Sequence, residues 1–220
     1  MTPDCHPIAT KSRNYSKADQ EFIETRISQL LADDIIEPRV SLWRAQLVIA
    51  QSENRKKRLC VDYSQTVNKF THLDAYPLPS MQNSVSNVAN YKWYSSLDLR
   101  SAYHQGPLLL EERKFSAFEA NGRLYHFKRI SFGLKNSVAC FQRVIDDIIA
   151  TYDCKGTFAY LDDITVCGKT KEEHDKNLKI FLNAVKECNL TLNESKCVYA
   201  SETHELAWIS HIQRTLAARS

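Results

Sequence analysis

The chain has 220 residues, 43% hydrophobic and 25% charged, with 29 Lys and Arg against 26 Asp and Glu for a net charge of +3. That is the composition of a globular protein of one large domain or two small subdomains, and it excludes a low-complexity or disordered chain. No run approaches the roughly 18 apolar residues of a membrane span, and the segment from Met1 to His6 lacks the layout of a signal peptide, so an intracellular protein with no membrane partner is expected.

Over residues 16–37 the apolar positions Phe22, Ile23, Ile27, Leu30, Leu31 and Ile35 recur at helical spacing. Ser16 and Asp19 are placed as a capping box and Pro38 as a stop, so an amphipathic helix is predicted over 16–37. Residues 45–50 and 58–63 read as a hairpin whose exposed tip carries Arg55, Lys56 and Lys57 beside Arg58. This basic cluster says more about nucleic acid than the small net charge does. A short helix over 81–88 precedes a strand over 91–98, and strands at 115–120 and 123–127 flank Asn121-Gly122, a two-residue hairpin signal.

Phe141, Val144, Ile145 and Ile148 predict a helix over 139–150, and residues 158–166 predict a strand pair bent at Asp162 and Asp163. Thr170 and Glu173 then cap a helix bearing Leu178, Phe181, Leu182 and Val185, and a short apolar run at 206–209 lies near the end. Without regular βαβ alternation, the fold class is α+β, a sheet with helices on one face. The seven cysteines include no Cys-x-x-Cys pair, which points to reduced thiols packing as small hydrophobes. His104, His126 and His174 lack metal-ligand spacing and carry no expected catalytic role.

Two acidic sites end β-rich runs, Asp98 after residues 94–97 and Asp162-Asp163 after 158–161, where a rigid sheet would fix a carboxylate. Unit charges about 4 Å apart repel by roughly 4 kcal/mol at an effective dielectric of about 20, so carboxylates converging there call for a cation. Magnesium suits the place, because it takes one or two carboxylates and fills its shell with substrate phosphates. Plainer readings stand beside this one. Asp-Asp is a favoured turn pair, and Asp98 is also placed to cap a helix starting near Leu99, Arg100 and Ser101.

The blocks Leu59-Cys-Val-Asp-Tyr63, Asp74-Ala-Tyr-Pro-Leu-Pro79, Ser96-Leu-Asp-Leu-Arg-Ser-Ala-Tyr-His-Gln105, Phe132-Gly-Leu-Lys-Asn136, Phe141-Gln-Arg143 and Tyr160-Leu-Asp-Asp163 come in one order. In that order the chain resembles the reverse transcriptases of Ty3/gypsy-type LTR retrotransposons, and the likeness continues through Glu172-Glu-His174 and Leu192-Asn-Glu-Ser-Lys-Cys197. The resemblance implies a right-hand polymerase fold of fingers and palm, with an antiparallel palm sheet covered by helices. Its expected parts are an arm and helix over 1–37, fingers over 38–90, palm over 91–110 and a fingers/palm hairpin over 111–136. Palm with the catalytic hairpin follows over 137–200, then the truncated start of a thumb over 201–220.

It further implies an RNA-directed DNA polymerase that joins dNTPs to a primer on an RNA or DNA template by two-metal phosphoryl transfer, without a protein nucleophile. Two Mg²⁺ ions, with Mn²⁺ as a substitute, would be held by the catalytic Asp98, Asp162 and Asp163 and by the Leu99 carbonyl. Arg58 matches the arginine that grips the triphosphate, and Asp62 the acidic position beside it; a solvated charge is the plain alternative for Arg58. Tyr103 matches the ring beneath the sugar that excludes a 2′-hydroxyl, or else it is a core tyrosine. The Tyr103 match and the retroelement blocks argue against an RNA polymerase. Phe132 and Gly133 would shape the nucleotide pocket, Lys135 would meet nucleic-acid phosphate, and Tyr160 would lie near the primer terminus unless it is an ordinary strand aromatic.

The resemblance leaves the oligomeric state open and implies a cytoplasmic retroelement particle, with the nucleus as the alternative location. Departures from the family pattern are Gln51, Ser52 and Glu53 where lysines are usual, Ser131 and Val138 in place of prolines, Leu42 before Trp43, and Gly106 in place of a β-branched strand residue. Residues 214–220 look unrelated to the family, so most of the thumb is expected to be missing, and no protease, RNase H or integrase segment is present. The competing expectation is therefore an inactive remnant that at most binds nucleic acid.

Overall fold

A computed structural model describes residues 1–51 and 57–202, without the side chains of 81–83 and 85. In chain order its elements are α1 (Lys17–Ala32), β1 (Ile36–Pro38), β2 (Gln46–Gln51), β3 (Lys57–Asp62), α2 (Val67–Phe70), α3 (Met81–Val88), β4 (Trp93–Asp98), α4 (Ala102–Gln105), β5 (Phe118–Ala120), β6 (Arg123–Phe127), α5 (Ser137–Thr151), β7 (Thr157–Tyr160), β8 (Asp163–Gly168), α6 (Lys171–Glu187) and β9 (Val198–Ser201). The chain divides into two compact units, Met1–Asp74 with Tyr103–Ser137, and Ala75–Ala102 with the chain from Val138 onward. The expected basic tip at 52–56 and the chain from 203 on, with its apolar run and thumb start, lie outside the described residues.

In the first unit, the Ser16 hydroxyl accepts the Asp19 N–H at 3.2 Å and starts α1, as the capping box requires. The helix ends at Ala32 instead of reaching residue 37. Asp34 takes a left-handed φ of 55°, and the Ile35 N–H closes back on the Leu30 carbonyl at 2.9 Å. That is a Schellman ending made with Asp, one of the few residues that tolerate this backbone region. Ile36, which falls inside the helix predicted over 16–37, lies instead on β1, buried against β6 in the antiparallel sheet β1-β6-β5.

Asn121 and Gly122 both take positive φ, 50° and 75°, the geometry of the type I′ turn that their sequence predicts between β5 and β6. The first strand of that hairpin is shorter than expected, because residues Arg113–Ser116 wind into a 3-10 turn. Gly106 is a correction of another kind. It lies outside the strands, so the cost of a glycine within a strand does not arise, and a Cβ there would displace only the end of the Ile130 side chain, whose Cδ1 is 2.6 Å away. The core of this unit gathers Ile23, Ile27, Trp43, Leu47, Tyr63 and Phe118.

The second unit is built on the antiparallel sheet β7-β8-β4-β9. On α6, His174, Asn177, Phe181, Ala184 and Val185 are buried at helical spacing, and this stripe packs on β8 and β4. Burying one such side chain as large as Phe181 contributes about 2–3 kcal/mol. Thr170 accepts the Glu173 N–H at 3.2 Å, as its sequence predicts, while the Glu173 carboxylate reaches back to the N–H of Lys169 at 2.8 Å. The short strand β9 has no clear sequence signal. It pairs with β4 through a register shift between Tyr94 and Ser96.

Candidate functional site

The hairpin β7–β8 and its neighbour β4 fix the acidic residues of the second unit. Antiparallel register sets Asp98 opposite Asp163 and Tyr160 opposite Asp163. Residues directly opposite each other share a face, so Tyr160, Asp163 and Asp98 form one row across three strands. The turn between the strands is Leu161–Asp162, one residue earlier than the sequence suggests, and Asp162 is exposed there. The turn reading of Asp162 and the functional one are thus compatible. The capping reading of Asp98 falls, because α4 begins only at Ala102.

Leu161 has φ 57°, a region unfavourable for a branched apolar side chain. What holds it is Gln142, fully buried on α5. Its Oε1 accepts the Leu161 N–H at 2.8 Å, and its Nε2 donates to the Ala159 carbonyl at 3.2 Å and to Asp146 Oδ1 at 2.9 Å. One amide therefore satisfies two backbone groups where β7 runs into the turn. Gln142 stands in the block at 141–143, but its role escapes sequence reading; the signal is a glutamine within the apolar stripe of a helix.

Like charges directly opposite in a sheet destabilise it, and here a cation relieves them: Lys196 Nζ lies 3.2 Å from Asp98 Oδ2. Among the described residues no three His, Cys, Asp or Glu side chains stand gathered as a ligand set. Two carboxylates in register and a third at the adjoining turn nonetheless suit an ion that takes one or two carboxylates and completes its shell with water and phosphate oxygens. Ser95, His174 and Asp175 have triad-like distances, 2.9 Å and 3.0 Å, but Ser95 and His174 are fully buried. The Ser95 hydroxyl also accepts the Ala200 N–H at 3.1 Å, so the trio is a strut joining β4, β9 and α6.

In the first unit the expected substrate residues lie on separate elements. Arg58 is exposed on β3, where it pairs in register with Ala50. Lys57, the member of the basic cluster next to it, is engaged with Asp19 at 2.7 Å, and that bond holds the Asp19 carboxyl below its usual range. Asp62 accepts the Ser64 N–H at 2.9 Å, and the Ser64 hydroxyl first, then this backbone bond, lower its pKa. Tyr103 is only 6% exposed and packs edge-on against Phe132 at 4.6 Å, while Phe132 is 51% exposed. Tyr103 is thus a core residue whose cover is an open aromatic face.

Gly133 has φ 90°, and a Cβ would meet the Val61 carbonyl at 2.8 Å, so the close approach that requires glycine is to β3. Asn68 bridges this loop, donating to the Gly133 carbonyl at 2.7 Å and accepting the Lys135 N–H at 2.8 Å. The Lys135 ammonium donates to the Thr71 carbonyl at 2.7 Å at the end of α2. His126 lies 2.6 Å from Glu37 and lowers the Glu37 pKa, a structural contact. All seven cysteines are free.

Residues 32–212 match the family described as reverse transcriptase (RNA-dependent DNA polymerase), and the chain belongs to that family. The chain is 29% identical over 210 residues to the retrovirus-related Pol polyprotein from transposon gypsy of Drosophila melanogaster, covering 93% of this chain and 20% of that protein. It is 33% identical over 195 residues to the corresponding polyprotein from transposon opus of the same fly, covering 86% of this chain and 19% of that protein. The chain therefore spans about a fifth of the curated relatives it matches. The foamy viral protease-reverse transcriptase solved in complex with RNA/DNA hybrid has a similar fold, with TM-score 0.81 at 21% identity over 89% of this chain and 26% of that one. The mixed helix and antiparallel-sheet architecture is that of polymerase fingers and palm, and the gypsy-type resemblance of the motifs holds. No helix among the described residues is long and apolar enough to cross a membrane.

Proposed function

We propose that this chain is the fingers-and-palm part of an RNA-directed DNA polymerase, with the second unit as palm and the first as fingers. It would extend a primer on an RNA or DNA template with dNTPs, the primer 3′-oxygen bonding to the α-phosphorus as pyrophosphate leaves. The observation that carries this is the carboxylate row: Asp98 and Asp163 in register with Asp162 at the adjoining turn, in a chain of the reverse transcriptase family. Asp98, Asp162, Asp163 and the Leu99 carbonyl are the groups that would hold Mg²⁺. When bound, divalent ions there supply charge neutralisation on the triphosphate and a more acidic 3′-hydroxyl.

The protein's own contribution is positioning. Gln142 holds the hairpin that carries Asp162 and Asp163. Arg58 offers a guanidinium fork to phosphate oxygens, and Asp62 is the acidic position beside it. Phe132, over Tyr103, offers an aromatic face to a nucleotide, with Gly133 setting the path of the loop. Lys135 and Tyr160 are assigned to nucleic acid; an ammonium has three donors, so Lys135 can keep its bond to Thr71 and still meet a phosphate. A cytoplasmic retroelement particle is the setting in which such a chain would act.

The test is primer extension on an RNA template with dNTPs and Mg²⁺, comparing the wild-type chain with Asp162→Asn at matched concentration and helicity. Extension by the wild type alone supports the reading. Failure of both, with primer-template still bound, favours a binding-only remnant, and incorporation of rNTPs as readily as dNTPs would overturn the substrate assignment.

A further inference from the structure

The block at 192–197 has no part in the reading above, yet the fold delivers it to Asp98. The Asn193 N–H donates to the Asp98 carbonyl at 2.8 Å, the Arg100 N–H donates to the Thr191 carbonyl at 2.9 Å, and Leu99 and Leu192 form an antiparallel bridge between them. Residues Glu194–Lys196 then make a 3-10 turn that leads into β9. Just beyond, Ala200, with a positive φ of 51°, is held by the Ser95 hydroxyl, which lies against His174. The backbone carrying Lys196 is therefore pinned on both sides, while its side chain is 64% exposed.

The Lys196 ammonium lies 3.2 Å from Asp98 Oδ2, with side-chain exposures of 64% and 19% respectively. It meets the end of the carboxylate row, where Asp98 faces Asp163. A monovalent cation supplied by the chain thus sits on the residue from which a divalent ion would bind. We propose that Lys196 is the resident counter-cation of Asp98, and that a divalent ion binds there by displacing its ammonium. This rests on the reading of Asp98 as a metal-binding residue.

An exposed ion pair is weak enough to exchange, so the lysine lowers divalent-ion affinity by no more than about tenfold. Because its backbone stays anchored, the ammonium returns when the ion leaves, and the row does not face water with its charges uncompensated. The contact therefore tunes the site toward binding metal together with a triphosphate, whose extra oxygens outcompete the lysine.

The experiment is Mn²⁺ binding followed by EPR, on the full chain without nucleotide or primer. It compares the wild type, Lys196→Gln, Asp98→Asn, the double variant, and Lys155→Gln as a charge control; Lys155 pairs with Asp153 before the start of β7. The expected result is that Lys196→Gln binds Mn²⁺ about three- to tenfold more tightly, Lys155→Gln binds as the wild type does, and Lys196→Gln has no effect once Asp98 is Asn. If Asp98→Asn weakens binding while Lys196→Gln matches the wild type or binds less tightly, the counter-cation role is overturned and the metal site stands. An equal gain from Lys155→Gln also overturns it, since the effect is then one of net charge. If Asp98→Asn binds as well as the wild type, the metal-site reading fails and this inference with it.

Discussion

In the second unit three strands align Tyr160, Asp163 and Asp98 in a single row, and a buried glutamine fixes the turn beside them. In the first unit Arg58, Asp62, Tyr103, Gly133 and Lys135 sit on a strand, a short helix and a loop, and Asp62, Tyr103, Gly133 and Lys135 each have a structural engagement there. Asp98 and Asp163 are placed by strand register, which cannot slip by one residue without turning every side chain over. The residues assigned to substrate in the first unit are instead spread over a strand, a short helix and a loop, and most of them also make bonds or contacts that shape those segments.

The contrast is sharpest at the row itself. Asp98→Asn or Asp163→Asn should lower nucleotide incorporation by about three orders of magnitude or more with the fold retained, as read by primer extension alongside circular dichroism. A loss of only a few-fold would mean that the register of the row is not what the reaction uses. Next, Gln142→Ala removes the partner of two backbone groups at the hairpin and should destabilise the chain by about 2–4 kcal/mol in urea unfolding. Gln142→Glu keeps an acceptor for Leu161 but sets a buried carboxylate oxygen against the Ala159 carbonyl and Asp146, and should lose at least as much.

Gly133→Ala should cost about 1–3 kcal/mol, from its positive φ and from the Val61 carbonyl 2.8 Å from the new Cβ. It should also raise the KM for dNTP more than it lowers kcat. Lys135→Ala loses a bond to Thr71 and should destabilise by about 0.5–1.5 kcal/mol. A drop in primer-template affinity at unchanged Tm would instead show that its phosphate role dominates. Last, burial raises the thiol pKa of Cys154 and pushes that of Cys167 up to about 12, so in native protein at pH 8 iodoacetamide should spare these two and label the half-buried cysteines.

The order of the motifs and the strand-turn-strand pattern at 158–166 are legible from residue types alone, because alternation and turn residues act over a few neighbours. So are both helix caps and the Asn121-Gly122 turn. The helix stop at Ala32 is not, since Ile35 continues the helical stripe and only the pairing of Ile36 with Phe127 on β6 starts a strand there. Gln142 is equally hidden, for a glutamine in an apolar stripe gives no hint of which carbonyl and N–H it will meet.

The sequence by itself determined the strands other than β1 and β9, the capped starts of α1 and α6, and the acidic residues at the strand ends, all of which depend on local backbone preference. Only the tertiary structure decided that Asp98 faces Asp163, and that Lys196, 98 positions away, reaches Asp98. Register between strands distant in sequence is set by what each face buries, and an ion pair by where the chain finally returns; neither is written in any short stretch of residues.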